Sequence, residues 1–270
     1  MNALVGERLS IITSKAQTTR HRIMGVVSGE NYQVVFSDTP GILKPMYKLQ
    51  EKMMQFVISA FSDADVFLLI TDVFEDIELQ PEYIEKLKQS STPVLLLINK
   101  IDAATQKKVE QKAAEWRAKL PNAHILAISA LEKFNLDQIM KKIVELLPEG
   151  ESFYDKDTLT DKSERFFISE IIREKILLQY NKEIPYSVEV IVNSFKDSED
   201  ILKVQADIIV ERDSQKGIII GHQGEALKKL GTKAREEAEK FFRKKIYLEL
   251  FVKVDKDWRS NDNRLKNFGY

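Results

Sequence analysis

An unbroken apolar run at residues 94–98, followed directly by Asn99, Lys100 and Asp102, is the feature that most constrains the fold of this chain. An apolar run of this length, opened by Pro93, is typical of a strand covered on both faces, and such strands belong to parallel sheets packed between helices. Open α/β sheets bind ligands beyond the carboxyl ends of their strands, so the polar residues are expected at a binding site. The alternative is a plain polar turn after a buried strand.

The carboxylate of Asp102 suits one nucleobase in particular. It can accept two hydrogen bonds from the N1–H and 2-amino groups of guanine, whereas adenine would present an acceptor to it. Charge-assisted hydrogen bonds contribute about 1.5 to 3 kcal/mol each, so one aspartate can select the base. The Lys100 stem can lie along the purine face, while Asn99 ties this loop to its neighbours.

Composition excludes several classes of protein. The 270 residues suffice for one large or two ordinary domains, and a net charge of -1 excludes a uniformly basic nucleic-acid binder. The absence of cysteine excludes disulfides and thiolate metal sites and predicts a reducing cytosolic setting. No apolar segment approaches the roughly 20 residues that span a bilayer, and the amino terminus lacks the regions of a signal peptide. We therefore expect a cytoplasmic protein.

Strands and helices alternate through the first part of the chain. This alternation predicts an α/β domain over residues 1–150 with a doubly wound, mostly parallel sheet. Residues 151–162 are polar and charged, and are predicted to form a linker. Strands are predicted at residues 9–13, 32–37, 66–71, 94–98 and 124–129, and helices at residues 2–5, 82–89, 106–120 and 135–147.

The pattern changes beyond the linker, over residues 163–270. A helix, two strands, two helices around a glycine loop and a last strand predict a smaller α+β domain. A polar tail that contains Trp258 follows the last strand. The first helix is predicted at residues 163–179, the strands at 186–194, 201–212 and 246–254, and the glycine-bearing segment at 217–231, which passes into a helix through residue 242.

A second loop of interest follows the strand predicted at residues 32–37. Asp38, Thr39, Pro40 and Gly41 stand there, and an aspartate in this place can hold Mg²⁺ through water. The backbone N–H of Gly41 can reach a terminal phosphate. Taken alone, these four residues also form a common turn.

Two further loops complete the pattern. Ser129 and Ala130 follow the next predicted strand, and their backbone N–H groups can reach O6 of guanine. Thr18 and Thr19 lie in a polar loop, where a threonine hydroxyl can complete Mg²⁺ coordination when a γ-phosphate is present. We expect the loops that follow strands to project from one edge of one sheet, and four loops in this order are a stronger signal than any one.

The glycine loop of the second domain predicts contact with RNA. It lies between apolar residues 218–220 and a helix, which is the arrangement of a KH domain. Its two glycines allow close approach to an RNA backbone, and the helix presents its positive end there. Over residues 214–270 Lys and Arg outnumber Asp and Glu by 14 to 8, although part of this charge can be a solvated helix face. The predicted RNA contacts are Ile220, Gly221, His222, Gln223, Gly224, Lys228, Lys229 and Arg235.

Residues 17–23, 38–41 and 99–102, together with the second domain, resemble the Era-like family of bacterial ribosome-assembly GTPases along essentially the whole sequence. The resemblance implies a monomer that hydrolyses GTP to GDP with Mg²⁺ and binds 16S ribosomal RNA near its 3′ end. It further implies that hydrolysis switches RNA binding during maturation of the 30S subunit, with peripheral contact at the inner membrane. Thr19 would sense the γ-phosphate. No catalytic residue is assigned, because Ile42 stands where Ras-like enzymes carry their water-orienting glutamine.

The sequence departs from that family in one respect. Era-like proteins begin with a strand and a glycine-rich phosphate loop that ends in Gly-Lys-Ser/Thr, and the 270 residues contain no such motif. We therefore expect an N-terminally truncated nucleotide domain in which two neighbouring strands lose a partner and GTP binds weakly or not at all. The alternative function is an RNA-binding KH module attached to a nucleotide domain that is inactive in this form.

Overall fold

The computed structural model describes residues 1–75 and 81–270. The chain divides into two compact units. Residues 1–8, 24–37 and 57–160 form the first unit, and residues 9–23, 38–56 and 161–270 form the second. Within the described residues, no helix combines the length and apolarity that a membrane span requires.

The elements alternate in the first part of the chain as predicted. Strand β4 is its centre, because it pairs in parallel with β3 on one side and β5 on the other. The elements are α1 (Asn2–Val5), β1 (Ile23–Ser28), β2 (Gln33–Asp38), α2 (Lys48–Asp63), β3 (Phe67–Asp72), α3 (Pro81–Gln89), β4 (Val94–Asn99), α4 (Gln106–Lys119), β5 (His124–Ala127) and α5 (Leu136–Leu146).

The burial of β4 explains why its sequence is apolar throughout. Leu95, Leu96, Leu97 and Ile98 are all at most 1% exposed. Leu96 and Ile98 pack into a core with Trp116 on one face, and Leu95 and Leu97 pack with Ile139 and Ile143 on the other. The doubly covered strand is therefore confirmed.

The strands of the first part form two sheets. Strands β1 and β2 pair with each other, and β3, β4 and β5 form a separate three-stranded sheet. Among the described residues, β2 and β3 lie in different sheets and do not pair with each other, which agrees with the expectation that two strands lack a partner. Strand β3 is an edge strand of its sheet and is less fully covered than β4, since Ile70 is 54% exposed.

Three sequence predictions in this part were wrong or incomplete. Residues 9–13 do not form a strand; instead, Ser10 and Thr13 use their side chains in hydrogen bonds to Asp38 and to the Lys15 backbone. Strand β1 and helix α2 were not predicted. Strand β1 is also joined by the predicted linker, since the N–H of Val26 donates to the carbonyl of Leu159 at 2.8 Å. The boundaries drawn at residues 150 and 163 stay a prediction.

The second part of the chain has the predicted order of a small α+β domain. Strands β6 and β7 are antiparallel, β7 and β8 are parallel, and helices α6 and α8 pack against the sheet. Its elements are α6 (Glu164–Gln179), β6 (Glu189–Asp197), β7 (Ile201–Val210), α7 (Asp213–Ile220), α8 (Glu225–Phe242), β8 (Lys245–Val254) and α9 (Asp262–Asn267).

The segment predicted to be a polar tail is folded. Trp258 is fully buried, and its indole N–H donates to the carbonyl of Ser187 at 3.3 Å. Helix α9 follows, capped by the Asn261 side chain, and Leu265 is fully buried. The sequence pattern missed this because two buried side chains among many polar residues carry no clear periodicity.

Candidate nucleotide and RNA sites

The loop after β4 and the loop after β5 are joined by hydrogen bonds within the first unit. The side-chain oxygen of Asn99 accepts from the backbone N–H of Ala130 at 3.0 Å, and the hydroxyl of Ser129 donates to the Asp102 carboxylate at 2.5 Å. Ser129 is buried, whereas Asp102 is exposed. This arrangement orients one carboxylate oxygen of Asp102 while its side chain stays accessible, as recognition of a base edge requires.

Lys100 is held in this loop by a residue that sequence reasoning missed. It adopts a left-handed backbone conformation at φ 62°, and its ammonium group lies 2.8 Å from the carboxylate of Asp72. Asp72 ends β3 directly opposite Asn99 in the sheet register. Partial burial alone would raise the pKa of Asp72, but hydrogen bonds from Lys100 and from the N–H groups of Phe74 and Glu75 lower it. The signal that could have found Asp72 is its place at the carboxyl end of a strand.

Asp38 belongs to the second unit, together with Thr18 and Thr19. The Asp38 carboxylate accepts from the hydroxyl of Ser10 at 2.6 Å, and burial raises its pKa despite this bond. Mg²⁺ is usually held in proteins by one or two carboxylates and completes its octahedron with water and substrate phosphates. A half-buried carboxylate and a threonine hydroxyl fit that donor set. No group of three or more His, Cys, Asp or Glu able to hold a metal occurs among residues 1–75 and 81–270.

The backbone around Thr19 is anchored on both sides. Before it, the carbonyl of Thr18 accepts from the guanidinium of Arg173 at 2.6 Å. After it, Arg20 is 2% exposed and donates to the carbonyls of Val188 at 2.7 Å and Pro185 at 3.1 Å. The sequence pattern predicted a polar loop here and gave no sign that Arg20 is buried.

The residue after Arg20 contacts the carboxyl end of the chain through aromatic stacking. The His21 ring stacks on the Tyr270 ring with 4.3 Å between centroids, and the Tyr270 hydroxyl donates to Glu189 at 2.6 Å. Burial lowers the pKa of His21, with Glu189 and Glu170 opposing it, and burial raises the pKa of Tyr270. The loop of Thr18 and Thr19 is thus anchored to the second unit by the buried Arg20 that follows it, while the two threonines themselves are half-buried.

The predicted RNA loop connects α7 to α8 in a conformation that needs glycine. Gly221 has φ 73° and ψ 179°, a region that only glycine readily adopts, and Gly224 has φ 82°. His222 and Gln223 are exposed between them. Of the apolar residues before the loop, Ile219 is fully buried in the core, so only Ile218 and Ile220 retain exposed surface for a ligand.

The basic residues predicted to contact RNA differ in their surroundings. Lys228 and Lys229 are exposed on the first turns of α8. Arg235 pairs with Glu239 one turn later, at 3.0 Å. Part of the positive charge is therefore balanced within the helix, as an ordinary solvated face would be, while the charge nearest the glycine loop is available to a phosphate.

Replacement of Gly221 by alanine is expected to destabilise the second unit by about 2 kcal/mol. The new Cβ would lie 2.6 Å from the Cβ of Ala226, and the backbone conformation is unfavourable for any other residue. Gly231→Ala is the matched control, because its Cβ meets only Leu250 at 3.5 Å and alanine favours a helix by up to about 1 kcal/mol. Urea unfolding measures both, and equal stability of the two variants would contradict the prediction.

A parallel α/β sheet with a polar loop after its central strand, and an α+β unit with a Gly-x-x-Gly loop between two helices, are the features of a GTPase that carries a KH domain. A family model described as "50S ribosome-binding GTPase" matches residues 1–100, and a KH domain model matches residues 183–259. The GTPase Era of Clostridium kluyveri is 42% identical over 272 residues, which cover all of this chain and 93% of that protein. The chain belongs to the Era family of GTPases, and the resemblance and fold class inferred from the sequence are confirmed.

Other relatives agree. The GTPase Era of Syntrophus aciditrophicus is 43% identical over 275 residues, covering all of this chain and 89% of that protein. The structure of Era in complex with MgGDPNP and nucleotides 1506–1542 of 16S ribosomal RNA has a TM-score of 0.94 at 38% identity, with 92% of that chain covered. A single-residue variant of Aquifex aeolicus Era bound to GDP·AlF4⁻ has a TM-score of 0.92 at 38% identity, with 93% covered.

Proposed function

We propose that this chain binds small-subunit ribosomal RNA near its 3′ end through the KH glycine loop and assists maturation of the 30S subunit, with GTP hydrolysis switching RNA binding. The observation that carries the proposal is the exposed Gly-x-x-Gly loop between α7 and α8, in a chain 38% identical to an Era whose structure contains that RNA segment. The loop is short and exposed, so an unstacked single strand can approach its backbone closely.

In this proposal one set of residues binds the guanine base and another binds the phosphates. Asp102 reads the guanine edge, with Ser129 holding its carboxylate and Lys100 beside the purine. The backbone of the loop formed by Thr39, Pro40 and Gly41 contacts the terminal phosphate. The residues that hold Mg²⁺ are Thr19 and Asp38. Mg²⁺, when bound, neutralises charge on the β- and γ-phosphates.

A second candidate has an observation in its favour. The 270 residues hold no Gly-Lys-Ser/Thr loop, and the described strands β2 and β3 do not pair. The second unit, in contrast, has one hydrophobic core to which its helices and its three-stranded sheet contribute. These observations favour an RNA-binding module whose nucleotide domain is inactive in this form.

Titration with a fluorescent guanine nucleotide separates the two candidates. The second candidate predicts weak or undetectable binding by this chain, because the backbone N–H groups and the lysine that usually hold the β- and γ-phosphates belong to a loop that these 270 residues do not contain. The first candidate requires measurable, Mg²⁺-dependent binding. Affinity for single-stranded RNA from the 3′ region should persist in the same preparation. Micromolar, Mg²⁺-dependent nucleotide binding would overturn the second candidate, and no affinity for the RNA would overturn both.

The partners follow from the same proposal. The 30S subunit is the expected assembly, the chain is expected to act as a monomer in the cytoplasm, and peripheral contact with the inner membrane is a further expectation from the family. Sedimentation with the small subunit tests the expected binding to the 30S subunit. Pelleting with anionic lipid vesicles tests the expected membrane contact. The measurement is repeated at increasing salt, because an electrostatic surface contact weakens with salt.

A further inference from the structure

We propose that residues 179–181, at the end of α6, transmit the position of the loop that holds Thr18 and Thr19 to the RNA-binding glycine loop. This inference rests on the proposed RNA function and assigns its regulation to named contacts. Every residue in it belongs to the second unit.

Lys15 makes the first connection. Its ammonium group donates to the backbone carbonyl of Tyr180 and, at 3.1 Å, to the side-chain oxygen of Asn181. The carbonyl of Lys15 accepts from the hydroxyl of Thr18 at 2.6 Å. Because one residue bonds both to the loop and to the end of α6, a shift of the loop pulls on α6.

Tyr180 makes the second connection, to the residue that precedes the glycine loop by two positions. Its hydroxyl donates to the backbone carbonyl of Ile219 at 2.9 Å, and both residues are buried. Ile219 lies in the last turn of α7, where carbonyls have no partner within the helix. The Tyr180 hydroxyl therefore fixes the point at which the chain leaves α7 for Gly221.

Gln179 holds the other side of the loop. Its side-chain amide donates to the backbone carbonyl of Ala226 at 2.9 Å and to the Tyr180 hydroxyl at 3.0 Å. Ala226 lies in the first turn of α8, against Gly221. The two neighbouring residues Gln179 and Tyr180 thus bond to the helix on each side of the glycine loop, so the width of the loop depends on where the end of α6 lies.

A contiguous chain of hydrogen bonds is not by itself energetic coupling, and a double-mutant cycle measures the coupling directly. The variants are Lys15→Met, Tyr180→Phe and the pair, with affinity for single-stranded RNA as the readout. Each single variant is expected to weaken RNA binding by about threefold to tenfold, the range of one or two hydrogen bonds. In the Tyr180→Phe background, Lys15→Met should add less than its full effect, because only the bond from Gln179 to Ala226 then links the end of α6 to the glycine loop.

The salt dependence of binding separates transmission from direct contact. Loss of a lysine that touches RNA phosphate lowers the slope of log affinity against log salt by about one, so Lys15→Met should leave the slope unchanged. Tyr154→Phe is the matched control: its hydroxyl contacts Met24 in the first unit, and its loss should leave RNA affinity unchanged.

The outcomes distinguish this inference from the function on which it rests. If the unmodified chain does not bind RNA, the proposed function fails. Three results would overturn the inference in a chain that does bind RNA. In the first, Lys15→Met leaves RNA affinity unchanged. In the others, its effect adds fully to that of Tyr180→Phe, or it lowers the slope of log affinity against log salt. Thermal unfolding checks that each variant is folded, and Lys15→Gln replaces Lys15→Met if the latter is not.

Discussion

Replacement of both His222 and Gln223 by aspartate is expected to lower affinity for single-stranded RNA by at least about a hundredfold, since facing like charges cost several kcal/mol. Both side chains are exposed between the two glycines, where an RNA backbone would pass closest. The substitution places two negative charges against phosphates, so repulsion replaces whatever contact the wild-type side chains make. A binding titration at fixed salt measures the loss.

The fold should survive this substitution. Neither side chain is part of the core, and Gln223 has a left-handed φ of 51°, a conformation that aspartate tolerates better than most residues. The control Ser91→Asp with Asn122→Asp makes the same change in net charge at two exposed positions of the first unit. Equal affinity of the two double variants would remove the glycine loop from RNA binding.

Replacement of Arg173 by methionine is expected to lower the free energy of unfolding by about 3 to 5 kcal/mol. Arg173 is 1% exposed and donates to both carboxylate oxygens of Glu170, at 2.7 and 2.6 Å, besides its bond to the Thr18 carbonyl. Methionine fills much of the volume but leaves the Glu170 charge buried and unbalanced. Urea unfolding at pH 7 measures the loss.

The pH dependence of this loss has a definite sign. Burial alone would raise the pKa of Glu170, but Arg173, helped by His21 and Arg20, holds it below its usual value. A carboxyl with a lowered folded pKa gives stability that is present above its unfolded pKa and lost as the pH falls through the folded pKa. Without Arg173 the buried carboxyl takes up a proton more readily, so the deficit of Arg173→Met should shrink as the pH falls from 7 toward 4.

A second variant tests whether the lost stability comes from the buried, unbalanced charge of Glu170. Glu170→Gln combined with Arg173→Met removes both charges and should recover most of the lost stability, because a neutral pair carries little desolvation cost. An Arg173→Met loss below about 1 kcal/mol would show that the pair is no more than a surface ion pair. A deficit that is equal at pH 4 and pH 7 would contradict the assigned role of Glu170.

The loop that follows β4 was predictable because its signals are local. The apolar run, the polar residues after it and their place at the end of a parallel strand come from adjacent positions, and the structure joins Asn99 to Ala130 and Asp102 to Ser129. The glycine loop was predictable for the same reason, since Gly221 has a backbone conformation that only glycine readily adopts and Gly224 lies in the left-handed region that favours glycine. Strand β1 and helix α2 escaped prediction, and both lie where the first and second units alternate along the chain.

The amino-acid sequence by itself determined the order of most elements, the α/β and α+β classes, and the positions of the polar loop after β4 and of the glycine loop, because propensity, periodicity and glycine conformation act over a few residues. Only the tertiary structure decided that Arg20 is buried against Val188, 168 positions away, that Trp258 lies in the interior, and that Tyr270 stacks on His21. A charged or aromatic side chain is buried when distant backbone carbonyls and carboxylates satisfy it. Those partners come together only when the chain is folded, so a local sequence pattern cannot predict that such a side chain is buried.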